Sequence, residues 1–263
     1  MMGTRGATGF ILDGEEKITY NHFDSYPEEL GVAVLGFIDD ADMDKLREKV
    51  KAIRLVEEDS NPTEADINIC RDAGLVDTNV SQQSITDWYC LLRGAQGDLA
   101  AYCETGLMID SKDFLKDSLF CEWAYLINFD TNMLEVYKGF NKDPNAKGRY
   151  ASQSDGSKNQ GYCGVALLWE ISLDEVKNLS NDKFLSMITE KVETEEETED
   201  NEEEETAYEF LKDYCILCQK HGKMLAPTFE GSASLKDPMC VISLDDDSEE
   251  YIGNTVMDMK KII

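Results

Sequence analysis

Long hydrophobic runs and basic residues are both scarce in this sequence. No segment approaches the roughly 18 consecutive apolar residues from which a membrane-spanning helix is built, so we expect no such helix. The opening, Met1–Lys17, lacks a basic stretch followed by a long apolar one, and no secretory signal is predicted. Basic residues number 25 against 54 acidic ones. This excess of negative charge repels DNA, RNA and anionic lipid, so we predict neither nucleic acid nor membrane as a partner.

Common catalytic and cofactor-binding motifs are also missing. The run Arg5–Gly9 contains glycines but has neither the lysine of a phosphate-binding loop nor a strand before it. No Gly-x-Ser-x-Gly nucleophile motif occurs. Acidic residues at Asp245–Glu250 would attract a divalent cation, but they lack the glycine and the spacing of an EF-hand loop, which favours a solvated acidic turn. We therefore predict no cofactor.

The cysteines are scattered along the chain rather than grouped in pairs. They are Cys70, Cys90, Cys103, Cys121, Cys163, Cys215, Cys218 and Cys240. Several lie among apolar residues, so we expect small buried hydrophobic side chains in a reducing cytoplasm and no disulfide framework. Cys215, Cys218 and His221 resemble half of a zinc site, but structural zinc takes four ligands and Cys240 alone is left to complete the set. Packing of Cys215 and Cys218 in a helix core is favoured, and no metal is predicted.

Net charge is the strongest compositional signal, at −29. The tract Glu193–Glu205 contains ten acidic residues, and the rest of the chain would still carry a charge of −19 without them. Like-charge repulsion and the lack of apolar residues predict a disordered acidic loop over residues 192–206. A basic protein partner, or simple solubility, accounts for an acidic surface of this size.

Short-range patterns predict two hairpins and several helices. Residues Ala7–Asp13 and Lys17–His22 flank an Asp-Gly turn signal and predict the first hairpin. The second hairpin is predicted at Cys121–Asp130 and Met133–Lys138, followed by a strand, Gly164–Ile171, buried on both faces. Helices are predicted from Pro27 onward, over Ala41–Val56, through most of Asn61–Leu119, and over Ser172–Leu179, Asp182–Lys191 and Thr206–His221.

The order of these elements predicts an α+β fold in which antiparallel β-hairpins are layered with amphipathic helices. A doubly wound sheet would alternate strands and helices regularly, and this sequence does not. We expect a main α+β domain at residues 1–191. The acidic loop at 192–206 then leads to a C-terminal helix and tail, residues 207–263, which pack on the main domain.

The densest group of polar and aromatic residues, Tyr20–Pro27, follows the second predicted strand. His22 and Asp24 are two residues apart and so lie on one face of an extended backbone, where the carboxylate would orient the imidazole as a general base. Tyr20 and Tyr26 are candidate ligand-binding residues. The alternative is a turn whose Asn21, Asp24 and Ser25 side chains cap the helix at Pro27.

The segments Gly3–Gly6 (GTRG) and Tyr20–Gly31 (YNHFDSYPEELG) resemble the opening of a family of uncharacterised phage and bacterial proteins. Cys121–Gly139 and Gly164–Val176 resemble later parts of that family. The resemblance covers about two-thirds of the chain. It implies a phage or mobile-element setting and a location in the host cytoplasm, and it implies no established activity.

A second similarity is to the N-terminal nucleophile hydrolases of the choloylglycine hydrolase and penicillin acylase type. Thr4, Arg5, the Asp-Gly turn and the Asn21–Asp24 segment fall at comparable places. The resemblance implies a related fold with a pocket around Arg5, Asn21, His22 and Asp24. The nucleophile position is Gly3, which carries no thiol or hydroxyl, so only cleavage before Thr4 would supply a nucleophile.

Three functional hypotheses follow from these patterns. The first is an accessory protein of a phage or mobile element that binds a basic protein partner through its acidic surface. The alternative is an amide-hydrolase-like or small-molecule-binding protein that uses the Arg5, Asn21, His22 and Asp24 pocket. The third is a structural component of a virion.

Overall fold

A computed structural model describes residues 4–79, 84–153 and 161–194, and the backbone of strands Lys223–Pro227 and Met239–Ser243. The chain divides into two compact units, Met1–Val192 and Glu193–Ile263. Within the described residues, no helix combines the length and apolar character needed to cross a membrane. The predicted C-terminal helix and zinc half-site at Cys215, Cys218 and His221 lie outside the described residues.

The first unit combines a mixed β-sheet with helices, which confirms the predicted α+β class. Its strands are β1 (Gly6–Leu12), β2 (Glu15–Asn21), β3 (Arg54–Val56), β4 (Leu107–Ile109), β5 (Trp123–Asn128), β6 (Met133–Lys138) and β7 (Ala166–Ser172). Its α-helices are α1 (Val32–Asp40), α2 (Met43–Ala52), α3 (Glu64–Asp72), α4 (Trp88–Leu91), α5 (Leu99–Thr105), α6 (Leu173–Val176) and α7 (residues 181–194). A π-helical turn, Pro27–Gly31, leads into α1, and 3₁₀ turns occupy Arg93–Ala95 and Lys112–Lys116.

The main sheet has five strands in the order β2-β1-β5-β6-β7. Both predicted hairpins are confirmed: β1 pairs antiparallel with β2, and β5 pairs antiparallel with β6. Asp13 and Gly14 both have positive φ, 55° and 74°, as the tight turn of a two-residue hairpin requires. The Asp130 carboxylate accepts both of their backbone N–H groups at 2.8 Å. This contact ties the first hairpin to the second, beside the parallel pairing of β1 with β5.

The sheet has a different core on each face, because alternate side chains of a strand point to opposite sides. Phe10 and Tyr125 belong to the larger core, which the helices cover, whereas Ile11 and Leu126 belong to a smaller one. The smaller core is completed by residues from the connections between strands, among them Leu115, Tyr150 and Val165. Successive side chains of β5 therefore alternate between the two cores.

The helix predicted over Ala41–Val56 is shorter than expected. Asp42 caps α2 by accepting the Lys45 N–H at 3.2 Å, and the helix ends at Ala52. Residues Arg54–Val56 instead form β3, which pairs in parallel with β4 inside the region predicted to be mainly helical. Each strand has only three residues, which is too few for its periodicity to distinguish it from helix. The two strands also pair across about fifty residues of chain, so no local pattern marks them as partners.

The prediction that Gly164–Ile171 is buried on both faces is wrong. Strand β7 is an edge strand that pairs with β6 alone in the five-stranded sheet. Glu170 is exposed and Trp169 is half-buried, and since successive side chains point to opposite faces, neither face of β7 is fully covered. Helix α7 confirms the predicted Asp182–Lys191 helix and continues through Thr194, into the segment that we assigned to the acidic loop.

Four of the five described cysteines, Cys70, Cys90, Cys103 and Cys121, are buried, as the sequence predicted. Cys163 is half-buried. Burial raises the pKa of Cys70 to about 11 and that of Cys103 to about 12. These side chains therefore pack as small hydrophobic groups rather than as thiolates.

Candidate functional site

The segment after β2 is a turn closed by its own side chains. Asn21 is 1% exposed, and its Nδ2 donates to the Phe23 carbonyl and to Ser25 Oγ, both at 2.9 Å. Ser25 Oγ donates to the same Phe23 carbonyl at 3.0 Å. Tyr26, not one of the predicted capping residues, is the N-cap of the turn at Pro27, and it makes no side-chain capping bond. Asn21 and Ser25 thus stabilise the turn and leave the helix N-terminus uncapped by side chains.

His22 is oriented by Tyr20 rather than by Asp24. The Tyr20 hydroxyl lies 2.8 Å from His22 Nδ1, and the His22 backbone N–H donates to Gln96 Oε1 at 3.2 Å. Among the described hydrogen bonds none joins His22 to Asp24, which is exposed, as is Tyr26. Partial burial, followed by the nearby charges of Arg93 and Arg5, lowers the pKa of His22. Burial likewise raises the pKa of Tyr20, so neutral forms of both side chains are favoured at neutral pH.

Next to this pair lies a buried arginine that the sequence interpretation missed. Arg93 is 7% exposed, and its Nη1 donates to Tyr89 Oη at 2.5 Å and to Gln96 Oε1 at 2.8 Å. Its guanidinium carbon lies 4.5 Å from the ring centroid of the exposed Phe23 and 5.0 Å from that of Tyr89. The four-residue spacing of Tyr89 and Arg93 was the available sequence signal, because residues so spaced in a helical segment share a face.

Tyr20 also lines a cavity of about 280 Å³, here called the tyrosine cavity. Its walls are Thr19, Tyr20, Glu58, Tyr89, Leu92, Gln96, Tyr102, Ile109, Ser111 and Phe114. The wall residues come from β2, from α4 and the turn after it, from α5, from the segment that follows β3, and from the end of β4 and the 3₁₀ turn after it. Of the predicted site residues, Tyr20 lines this cavity, and Arg5, Asn21, His22, Asp24 and Tyr26 do not.

A larger concavity of about 630 Å³, here called the acidic recess, adjoins the tyrosine cavity through Glu58. It is lined by Glu57, Glu58, Asp59, Ser60, Asn61, Ser84, Thr86, Asp87 and Asp110. Val56 and Ile109 are register partners at the ends of the parallel strands β3 and β4. Because the carboxyl ends of parallel strands meet at one edge, the acids that follow them are brought together there.

The acidic recess has a negative lining. Five of its described lining residues are carboxylates and none is basic, and the same absence of basic side chains holds for the tyrosine cavity. Lys112 lies at the border, with its Nζ 3.1 Å from Asp110 Oδ2. No group of three or more acidic, cysteine or histidine side chains in the described residues is placed to hold a metal ion. A concave lining with five carboxylates attracts positive charge.

A second polar cluster lies on the smaller-core face of the sheet. Glu135 is 1% exposed and accepts hydrogen bonds from Asn128 Nδ2 at 2.6 Å, Tyr137 Oη at 2.7 Å and Arg149 Nη2 at 2.5 Å. Tyr150 donates to Glu16 Oε1 at 2.7 Å, and Arg149 Nη1 lies 3.8 Å from the same oxygen. Burial raises the pKa of the Tyr137 hydroxyl well above its usual range. These contacts attach the segment containing Arg149 to the sheet.

The position of Thr4 bears on the hydrolase resemblance. Its side chain is 2% exposed, and its buried Oγ1 has no hydrogen-bond partner among the described residues, while its carbonyl accepts the Ser25 N–H at 3.2 Å. In the unprocessed chain this hydroxyl is therefore not open to an amide substrate. Comparison with family models, curated proteins and solved structures found no match to this chain.

Proposed function

We propose that this protein acts by non-covalent binding of a positively charged partner, a basic protein segment, at the acidic recess and the tyrosine cavity. The observation that carries the proposal is the adjacency of two concave sites that share Glu58 and have no basic side chain in their described lining. We place this binding in the cytoplasm, a setting supported by the thiols of Cys70, Cys103, Cys121 and Cys163, which form no disulfide.

Electrostatics supports a cationic partner. The chain carries a net charge of −29, so a basic segment is drawn toward it from a distance. Concave surfaces of one sign concentrate that field, and five carboxylates meet in the acidic recess. The chain's own Lys112 ammonium pairs with Asp110, a lining residue of the recess, and a basic partner would make contacts of this kind.

Binding is favoured over amide hydrolysis by the arrangement of the polar groups. The Tyr20 and His22 pair has the geometry of a proton-transfer couple, with 2.8 Å between Oη and Nδ1. Hydrolysis through a covalent intermediate also needs a nucleophile within reach of a base. The hydroxyl of Thr4, which the hydrolase resemblance would use, is buried. Tyr20 instead contributes an aromatic wall and a hydroxyl to the tyrosine cavity.

The proposal is tested by titrating the protein with a fluorescent basic peptide and an acidic peptide of equal length at 0.1 M and 1 M salt. We expect the basic peptide alone to bind, and to bind at least tenfold more weakly at 1 M salt, where the Debye length falls from about 10 Å to about 3 Å. Affinity that is indifferent to salt would contradict a charge-driven complex.

A matched pair of variants separates the acidic recess from the overall charge. Asp59→Asn with Asp87→Asn removes two charges from the recess, and Asn at position 87 retains an N-cap for α4. Asp24→Asn with Asp39→Asn removes two exposed charges elsewhere. The recess variant should lose clearly more affinity than its control. Equal losses would show that the peptide binds the general field of the protein, and would overturn the proposed site.

A further inference from the structure

The tyrosine cavity differs from the acidic recess in size and in chemistry. At about 280 Å³ it is less than half as large, and it lies just below the range of about 300–1,000 Å³ that is typical of small-molecule sites. Four of its walls are aromatic rings, from Tyr20, Tyr89, Tyr102 and Phe114. A space of this size and lining suits one long side chain better than a large cofactor.

The aromatic walls are held in place before any ligand arrives. Tyr20 packs edge-to-face on Phe114, with ring centroids 5.0 Å apart and an interplanar angle of 86°. The Tyr20 hydroxyl is bonded to His22, and the Tyr89 hydroxyl accepts from the buried Arg93. Rings fixed in this way lose little conformational entropy when a ligand binds between them.

Glu58 is the one carboxylate in the described lining of the tyrosine cavity, and it also lines the acidic recess. The pKa of Tyr20 is raised first by burial; the charges of Arg5 and Arg93 lower it, and Tyr89 and Glu58 raise it. A cation in the cavity would meet aromatic side chains and this carboxylate. Aromatic faces attract cations through their quadrupole, and the effect grows as water is excluded.

The chain itself contains a guanidinium in such an environment. The Arg54 guanidinium forms an ion pair with the buried Asp66 and lies 5.9 Å from the Trp88 ring centroid. Arginine suits this combination better than lysine, because its planar group stacks on rings, is weakly hydrated and can bond a carboxylate through two N–H groups at once. The lining of the tyrosine cavity contains the same two components, aromatic side chains and a carboxylate.

We infer that the tyrosine cavity receives the side chain of a single arginine of the basic partner, with its guanidinium between the tyrosine rings and the Glu58 carboxylate. The flanking residues of the partner then lie in the acidic recess. This inference rests on the proposed function and adds to it a chemical identity for the recognised side chain. The recess attracts positive charge in general, whereas the cavity selects arginine.

The test uses three oligolysine peptides that differ at one central residue, which is arginine, citrulline or lysine. Citrulline has nearly the shape of arginine without its charge. We expect the arginine peptide to bind the protein about 3- to 30-fold more tightly than the other two, the range that a partly desolvated cation–π contact supports. Equal affinities of the three peptides would overturn the inference while leaving the proposed function in place.

Two single-charge variants make the test specific to the cavity. Glu58→Gln removes the carboxylate shared by both concavities, and Glu57→Gln removes a neighbouring carboxylate that lines the recess alone. Glu58→Gln should reduce the arginine preference to the part that the aromatic rings supply, whereas Glu57→Gln should weaken all three peptides and preserve the preference in full. An arginine preference that Glu58→Gln leaves unchanged would refute the assignment. Failure of every basic peptide to bind the unaltered protein would reject the proposed function as well.

Discussion

Arg149→Met provides a direct measure of how the buried carboxylate of Glu135 contributes to stability. The substitution removes the guanidinium whose Nη2 lies 2.5 Å from Glu135 Oε1, and it keeps an unbranched apolar stem of similar reach. The Glu135 side chain is 1% exposed, so water cannot replace the lost partner freely. Removing one member of a buried ion pair costs about 3–5 kcal/mol.

Two features of the cluster lower that expectation. The Arg149 side chain is 37% exposed, so part of its interaction with Glu135 is already screened by solvent. Asn128 and Tyr137 remain as donors to the carboxylate, at 2.6 and 2.7 Å. We therefore expect Arg149→Met to lower the free energy of unfolding by about 2–3 kcal/mol, below the range for a fully enclosed pair.

Urea denaturation followed by circular dichroism measures this loss, and thermal unfolding checks it. For a folded unit of this size, each kcal/mol moves Tm by about 2–4 °C, so a fall of about 4–12 °C is expected. Arg71→Met is the matched control: Arg71 is exposed and bonds Asn68 at 3.3 Å, and its loss should stay within about 0.5 kcal/mol.

A loss below about 1 kcal/mol, or one equal to that of Arg71→Met, would refute the reasoning. The pairwise contribution is isolated by a double-mutant cycle with Glu135→Gln. Because the two residues are in contact, we expect a coupling of about 0.5–3 kcal/mol, so that the double variant loses less than the two single losses combined. Additive losses would mean that Arg149 stabilises the segment by packing and not through Glu135.

Three further predictions concern single residues. His22 should titrate by NMR with a midpoint below about 6.5, because burial and then the Arg93 and Arg5 charges disfavour its protonated form. The folded state thus favours neutral His22, and the stability that this provides is complete above the unfolded-state pKa and is lost as pH falls through the lower folded-state pKa. A titration midpoint above 6.5 in the folded protein would contradict this. Lys17→Met should lower the free energy of unfolding, measured by urea denaturation, by about 1–3 kcal/mol. The buried Lys17 ammonium donates to the Ile53 carbonyl at 2.6 Å, and the substitution leaves that carbonyl without this donor. A loss within about 0.5 kcal/mol would argue against that role. Peptide mapping after brief alkylation of the native protein at pH 8 should find Cys163 modified well before the buried Cys121, and equal rates would show that the smaller core opens readily.

The hairpins could be predicted because their signals are local. Asp13-Gly14 and Asn132 adopt positive φ, which their residue types tolerate, and the alternation of apolar residues identifies the flanking strands. The start of the helix at Pro27 was predictable for the same reason, since proline and acidic residues suit a first turn. In each case the deciding interactions lie within a few residues along the chain.

The candidate site could be predicted only in part. The segment containing Tyr20 and His22 was identified from the sequence, and these two residues are hydrogen-bonded partners. The partner expected for His22, Asp24, faces solvent, and the cavity lies on the Tyr20 side of the pair. Glu58, Tyr89 and Phe114 were not identified, because no pattern within their own segments marks them as neighbours of Tyr20.

The sequence by itself determined the α+β class, the two hairpins, the burial of the described cysteines and the acidic character of the protein. Residue type, turn chemistry and side-chain alternation suffice for these features, because each acts over a short stretch of chain. Only the tertiary structure decided that β1 runs parallel to β5 and that β3 pairs with β4. Those pairings join segments about fifty to more than a hundred residues apart, and the contacts that favour them exist only after the chain has folded. The tyrosine cavity and the acidic recess lie at the ends of strands placed by these pairings, so their composition could not be inferred from any single segment.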